Sequence, residues 1–168
     1  METCIISYSM TGNNDKLAKV MATALEADHI VVNELKKRSN FTIVFDNLLG
    51  RTPKVSPSSN VIDGYEKIIF VGPIWMEMPP SPLRTYFKAV KKNNKSYSFV
   101  TISGGSLNKN PRLIKNLKKT AGHNLEVLKD MYISDLLDQD KPTPKETGDY
   151  VLTENNIKTL AEDVIKSL

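Results

Sequence analysis

Apolar positions along the chain follow two alternating rhythms. Thr3–Ser9 (TCIISYS) is a short β-rich run closed by a turn signal, the pattern of a buried strand. Leu17, Met21, Ala24 and Leu25 then recur at helical spacing. His29–Leu35 predicts a second strand, Lys67–Gly72 (KIIFVG) a third, Tyr97–Ser103 (YSFVTIS) a fourth, and Leu125–Ser134 holds a fifth. Between these runs, Leu83, Tyr86, Phe87 and Val90 form one helical stripe, and Leu113, Ile114 and Leu117 form another. Ile157, Leu160, Ala161, Val164, Ile165 and Leu168 give a closing amphipathic helix. Thr153 starts it, with Asn156 three residues on in place of the Glu or Gln of a full capping box.

Two stretches break the alternation. Residues 36–66, for which a lid and a dimer contact are both open, include Phe41–Leu49, an apolar piece of no definite type. Residues 138–152 (DQDKPTPKETGDYVL) read as a surface excursion. Strand–helix alternation predicts an α/β fold, a three-layer doubly wound parallel sheet of five strands with helices on both faces. No repeat, low-complexity segment or linker divides the chain, so residues 1–168 are expected to form one domain.

Composition narrows the function more than the fold. The single cysteine, Cys4, excludes an internal disulfide framework and a Cys-based zinc cluster, and two histidines far apart predict no metal centre. No run approaches the roughly 18 apolar residues of a membrane span. No basic, apolar and small-residue leader opens the chain, so a cytoplasmic location is expected. Charge adds an asymmetry. Ten Lys and Arg and no acidic residue lie between Arg84 and Lys119, in a chain with 23 basic and 19 acidic residues overall. Such a band steers an acidic partner or an anionic substrate, or is simply the solvated face of two Lys-rich helices.

In an open α/β sheet, ligands bind beyond the carboxyl ends of the strands, where the strand order reverses. The loops after strands one, three and four therefore carry the candidate chemistry. The first is Ser9-Met10-Thr11-Gly12-Asn13-Asn14, with no Lys or Arg in residues 1–15. Its hydroxyls, carboxamides and free backbone N–H groups suit either a phosphate held by neutral donors or an ordinary helix cap. It is neither the GxxxxGK(S/T) triphosphate loop nor the three-glycine dinucleotide fingerprint. The second is Gly72-Pro73-Ile74-Trp75-Met76-Glu77-Met78-Pro79-Pro80, which holds the chain's only Trp and offers an aromatic and sulfur wall to a flat ring. The third is Ser103-Gly104-Gly105, where paired glycines admit a close ligand. No Ser/His/Asp arrangement stands out. Cys4 reads as a small core residue and His123 as a surface one, so no catalytic residue is assigned.

The run Ile6–Asn14 resembles the phosphate loop of the flavodoxin family, S/T-x-T-G-x-T/N, with Asn14 where Thr is frequent. The resemblance extends over nearly the whole chain. It implies a flavodoxin-like sheet of order 2-1-3-4-5 with FMN at its C-terminal edge. It assigns the FMN phosphate to Ser9, Thr11, Gly12, Asn13 and Asn14, with Met10 as a backbone contact. Pro73, Ile74, Trp75 and Met76 would lie along the isoalloxazine, and Ser103, Gly104 and Gly105 would meet its pyrimidine end. Many electron carriers of the family stack a Tyr on the ring from this third loop; none occurs here between Ser98 and Tyr132.

The implied function is an FMN-binding oxidoreductase or electron carrier, with carrier and enzyme both open. Its partner would be a redox protein, such as an acidic iron–sulfur protein, or a small substrate such as NAD(P)H or a quinone. Arg84 or Lys109 would attract the anionic substrate. A homodimer is a further open expectation. The alternative is a flavin-free domain that binds nucleic acid or an acidic protein through the basic 84–119 band. Core duty explains Tyr86, Phe87, Tyr97 and Phe99 better than base stacking does, which weighs against nucleic acid. A response-regulator receiver needs acidic residues at the end of strand one, and Ser7–Thr11 offers none.

Overall fold

The computed structural model describes residues 2–36, 50–105, 110–137 and 142–168. Its elements are β1 (Thr3–Ser7), α1 (Asn13–Ala24), β2 (Asp28–Val31), β3 (Asn33–Glu34), β4 (Val55–Ser56), β5 (Lys67–Val71), α2 (Arg84–Lys92), β6 (Tyr97–Ser103), α3 (Leu113–Ala121), β7 (Leu125–Tyr132), α4 (Pro144–Asp149) and α5 (Glu154–Ile165). Five strands form a sheet in the order β2-β1-β5-β6-β7, every neighbouring pair parallel. Counted within that sheet, this is the expected order 2-1-3-4-5. The winding reverses between β1 and β5, where Ile5 pairs with His29 on one side and Ile69 on the other.

The period-two alternation of the strands sorts their side chains into two cores. Cys4, Ile6, Phe70 and Phe99 meet Leu83, Phe87 and Val90 of the α2 segment and Leu113, Leu117 and Ala121 of α3. On the other face, Ile5, Ile69, Val71 and Val100 meet Leu17, Ala18 and Met21 of α1 and Ala161 and Val164 of α5. Cover on both faces is why the central strands are apolar at nearly every position. Phe70 and Phe87 pack with ring centroids 4.5 Å apart. Cys4 is fully buried; burial first, then the charge of Asp28, push its thiol up to about 12, so it is an inert core residue. His123 is exposed, as expected.

Three sequence expectations change. β2 stops at Val31, because the chain leaves the main sheet for a separate two-stranded pairing in which β3 runs antiparallel to β4. Residues 138–152 are not only a surface excursion: α4 lies in them, and its Thr147 is 2% exposed. Thr143 and Glu146 form a complete capping box there, a pattern present in the sequence at the spacing that starts a helix. At α5 the capping box is also complete. Asn156 Oδ1 accepts from the Thr153 N–H at 3.2 Å, and Thr153 Oγ1 accepts from the Asn156 N–H at 3.1 Å. A carboxamide therefore does here what Glu or Gln does elsewhere. Phe41–Leu49 lies outside the described residues. No helix among the described residues is long and apolar enough to cross a membrane.

Candidate functional site

A cavity of about 330 Å³ opens at the carboxyl ends of β1, β5 and β6. The loop after β1 lines it with Met10, Thr11, Asn13 and Asn14, the loop after β5 with Pro73, Ile74 and Trp75, and the end of β6 with Ile102, Ser103 and Gly104. Ile133, Pro144, Thr147 and Gly148 complete the wall. Among the described residues none that lines it carries a charge, and the wall they form is apolar over much of its area, with a few hydroxyls and amides. Of the residues expected here, Ser9, Gly12, Met76 and Gly105 stand beside or behind the lining.

The first wall is the tip of α1. Gly12 takes a left-handed conformation (φ 89°), and its N–H donates to Ser9 Oγ at 2.9 Å. No side chain caps this helix, unlike α4 and α5. Its first internal bond runs from the Lys16 N–H to the Gly12 carbonyl, so the N–H groups of Asn13, Asn14 and Asp15 find no acceptor within the helix. The two carboxamides are engaged elsewhere. Asn13 Nδ2 donates to the Tyr150 carbonyl at 2.7 Å, and its Oδ1 accepts from the Leu152 N–H at 3.0 Å. Asn14 Nδ2 donates to the Ile102 carbonyl at 3.0 Å, and its Oδ1 accepts from the Ile102 N–H at 3.1 Å. Asn14 therefore joins α1 to the end of β6, and Asn13 joins it to the strand-like strap that follows α4. What these residues offer a ligand is backbone.

The second wall is a tight turn. The Trp75 N–H donates to the Met78 carbonyl at 2.9 Å and the Met78 N–H to the Trp75 carbonyl at 3.0 Å. The two residues between them are left-handed, Met76 at φ 52° and Glu77 at φ 59°. Hairpin turns of this kind favour Asn-Gly, and side chains larger than glycine cost about 1–2 kcal/mol each in this region. Met76 is 67% exposed on the rim. Trp75 is half-buried and meets Tyr8 edge-on, with centroids 5.7 Å apart. Gly72 lets β5 end beneath the turn, since a Cβ there would lie 3.1 Å from Leu83 Cδ1.

The third wall is the exit of β6. A Cβ on Gly104 would lie 2.9 Å from Thr147 Oγ1, so α4 rests directly on the glycine backbone. Gly105 is left-handed (φ 74°) above Tyr132. Beneath it, Tyr132 donates its hydroxyl to Asp130 and accepts from the Asn110 N–H at 3.2 Å, while Asn110 Nδ2 donates to Asp130 Oδ1 at 3.1 Å. Burial first, then the Asp130 bond, push the Tyr132 phenol up to about 12. Sequence reasoning missed this network, because its members lie 20 residues apart or more in two of the three pairs.

Two other groups qualify the sequence reading. Ser7 Oγ lies 2.8 Å from His29 Nε2, and burial lowers the His29 pKa against the opposing pull of Asp15. Ser7 is fully buried, so the pair joins β1 to β2 rather than meeting a substrate. Arg84 is 8% exposed and donates from Nη1 to the Arg51 carbonyl at 2.6 Å, so it is a strut of the 50s loop and not a surface cation. Lys109 lies outside the described residues. Lys95 is half-buried and donates to the Asp63 and Tyr65 carbonyls at 3.0 and 2.8 Å. The other described members of the basic band, Lys88, Lys91 and Lys92 on α2 and Arg112, Lys115, Lys118 and Lys119 at α3, are exposed on one side of the sheet.

No protein-family model matches this chain, and no curated protein does. Solved structures do. A flavoprotein from Lactobacillus acidophilus, crystallised with FMN, is 19% identical with a TM-score of 0.58, over 77% of this chain and 92% of its own. The Trp repressor binding protein of Bacillus subtilis is 12% identical with a TM-score of 0.60, over 99% of each chain. A Streptococcus pneumoniae flavodoxin is 12% identical with a TM-score of 0.51, over the full length of both. At such identities the likeness is one of fold. This chain has the flavodoxin-like fold, with its cavity at the switch point of the sheet.

Proposed function

We propose that the chain binds FMN in this cavity and acts as a flavodoxin-like redox protein. The observation that carries the reading is the bare N-terminus of α1, beside a ring-sized cavity at the switch point whose described lining is uncharged. Helix-tip N–H groups with no capping side chain suit a phosphate. The Asn13 and Asn14 N–H groups and the Thr11 hydroxyl would hold it, with Ser9 fixing the loop through Gly12. Trp75, Ile74 and Met10 offer an apolar wall to the isoalloxazine, and Ser103 and Gly104 offer polar backbone to its pyrimidine edge. FMN in the solved structure from L. acidophilus supports the same reading. Bound FMN supplies reversible acceptance of electrons or hydride. The chain's own part is binding, orientation and access, since no acid or base lines the cavity among the described residues.

Titration of purified protein with FMN is expected to saturate, with quenching of both flavin and Trp75 fluorescence. Thr11→Val is expected to weaken binding about ten- to a hundredfold, the scale of one hydrogen bond to a charged group. Absence of saturable binding of FMN, FAD and riboflavin would sink the proposal. The exposed α2–α3 cations favour an acidic redox protein as the partner. Electron exchange with an acidic iron–sulfur protein should then slow steeply as ionic strength rises. A flat salt response would remove that partner class and favour a small-molecule substrate.

A further inference from the structure

We infer that Asn116, on the outer helix α3, is a positioning residue for the cavity, gripping the Trp75–Met78 turn that carries the ring wall. Its relevance to a ligand rests on the FMN reading above. Met76 and Glu77 are the only adjacent non-glycine residues with positive φ among the described residues. Such a pair persists only where its surroundings over-determine it. The residues themselves do not ask for this turn, which ordinarily takes Asn-Gly. The grip comes from outside: Asn116 Nδ2 donates to the Glu77 carbonyl at 2.7 Å. Arg112 Nε lies 3.7 Å from Glu77 Oε2, but Arg112 is largely exposed, so this ion pair contributes little. The carbonyl held by Asn116 belongs to the second left-handed residue, so the bond opposes relaxation of that peptide plane. The turn begins at Trp75, which lines the cavity and whose ring meets Tyr8 edge-on. Glycine appears where the backbone elsewhere around the cavity is crowded or left-handed, at Gly12, Gly72, Gly104 and Gly105. At Met76 and Glu77 a clamp from α3 takes its place.

The test uses Asn116→Asp, which keeps the side chain's shape but cannot donate, and Asn116→Leu, which loses the donor without adding charge. Two readouts are taken: FMN affinity, and acrylamide quenching of Trp75, the only tryptophan. Both variants are expected to bind FMN about tenfold more weakly, the scale of one lost hydrogen bond, and to expose Trp75 to the quencher. Adding Glu77→Gly should restore most of both, because glycine adopts the left-handed conformation unaided. A merely structural Asn116 would lower thermal stability without rescue from the turn. Unchanged FMN affinity overturns the inference, even where Trp75 becomes accessible, as does a loss that Glu77→Gly leaves unrepaired. If the parent protein binds no FMN, the cofactor reading fails separately. Trp75 quenching then decides alone: a rise in the variants supports the grip, and no change overturns it.

Discussion

Asn14→Ala is expected to lower the free energy of unfolding by about 2–4 kcal/mol, measured by urea denaturation with an unchanged m-value. The side chain is 3% exposed and bonds both the carbonyl and the N–H of Ile102, at 3.0 and 3.1 Å. Truncation leaves two backbone groups at the end of β6 without their partner in a place water reaches poorly, and orphaned buried groups are costlier than the net value of the bonds they lost. Asn13→Ala is the informative companion. It frees Tyr150 and Leu152, which belong to the strap after α4, so its effect should fall more on the cavity wall than on the sheet. A loss below about 0.5 kcal/mol for Asn14→Ala, the range of an ordinary surface change, would show that Ile102 finds other partners.

Gly105→Ala is expected to cost about 2–4 kcal/mol, the sum of two effects on one atom. The added methyl would lie 2.6 Å from Ser134 Oγ and 2.7 Å from Tyr132 Cβ, distances that force side chains or backbone to shift. The backbone there is left-handed at φ 74°, which disfavours any L side chain. Gly12→Ala separates the two, since Gly12 is left-handed at φ 89° but has nothing within 4 Å of an added Cβ. That variant should lose only about 1–2 kcal/mol. Equal losses at both positions, followed by thermal or urea unfolding, would mean that Tyr132 and Ser134 yield freely and that the β6 exit is not held from below.

The sheet was legible because strong period-two runs alternate with helical stripes, and because both faces of the central strands are covered. The place of the cavity followed from the same alternation, since loops after β1, β5 and β6 converge wherever such a sheet reverses. The jobs of particular side chains were less legible. Asn13 and Asn14 have the chemistry of ligand donors, and only the fold reveals that Ile102, Tyr150 and Leu152 stand within reach of their carboxamides. Arg84 sits in a basic run, and only packing tells a buried strut from a surface cation. α4 was missed although Thr143 and Glu146 have capping-box spacing, because six residues carry too little apolar periodicity to stand out from a loop. The turn at Met76 and Glu77 could not be read at all: its residues contradict its conformation, and its support comes from Asn116, 39 residues on.

The cations and the cavity do not point the same way. α2 and α3 cover one broad face of the sheet, whereas the cavity lies at the carboxyl ends of β1, β5 and β6. Long-range attraction would therefore bring an acidic body first to the helices, and it would reach the opening from the α3 side. Between the two stand Arg112, just before α3, and Glu77 of the Trp75–Met78 turn, 3.7 Å apart. A small ligand arriving at the edge meets instead a lining that is uncharged among the described residues. If an acidic partner is bound, capture by charge and entry by shape would then be two separate approaches to the same molecule, and a substitution on one approach need not be felt on the other.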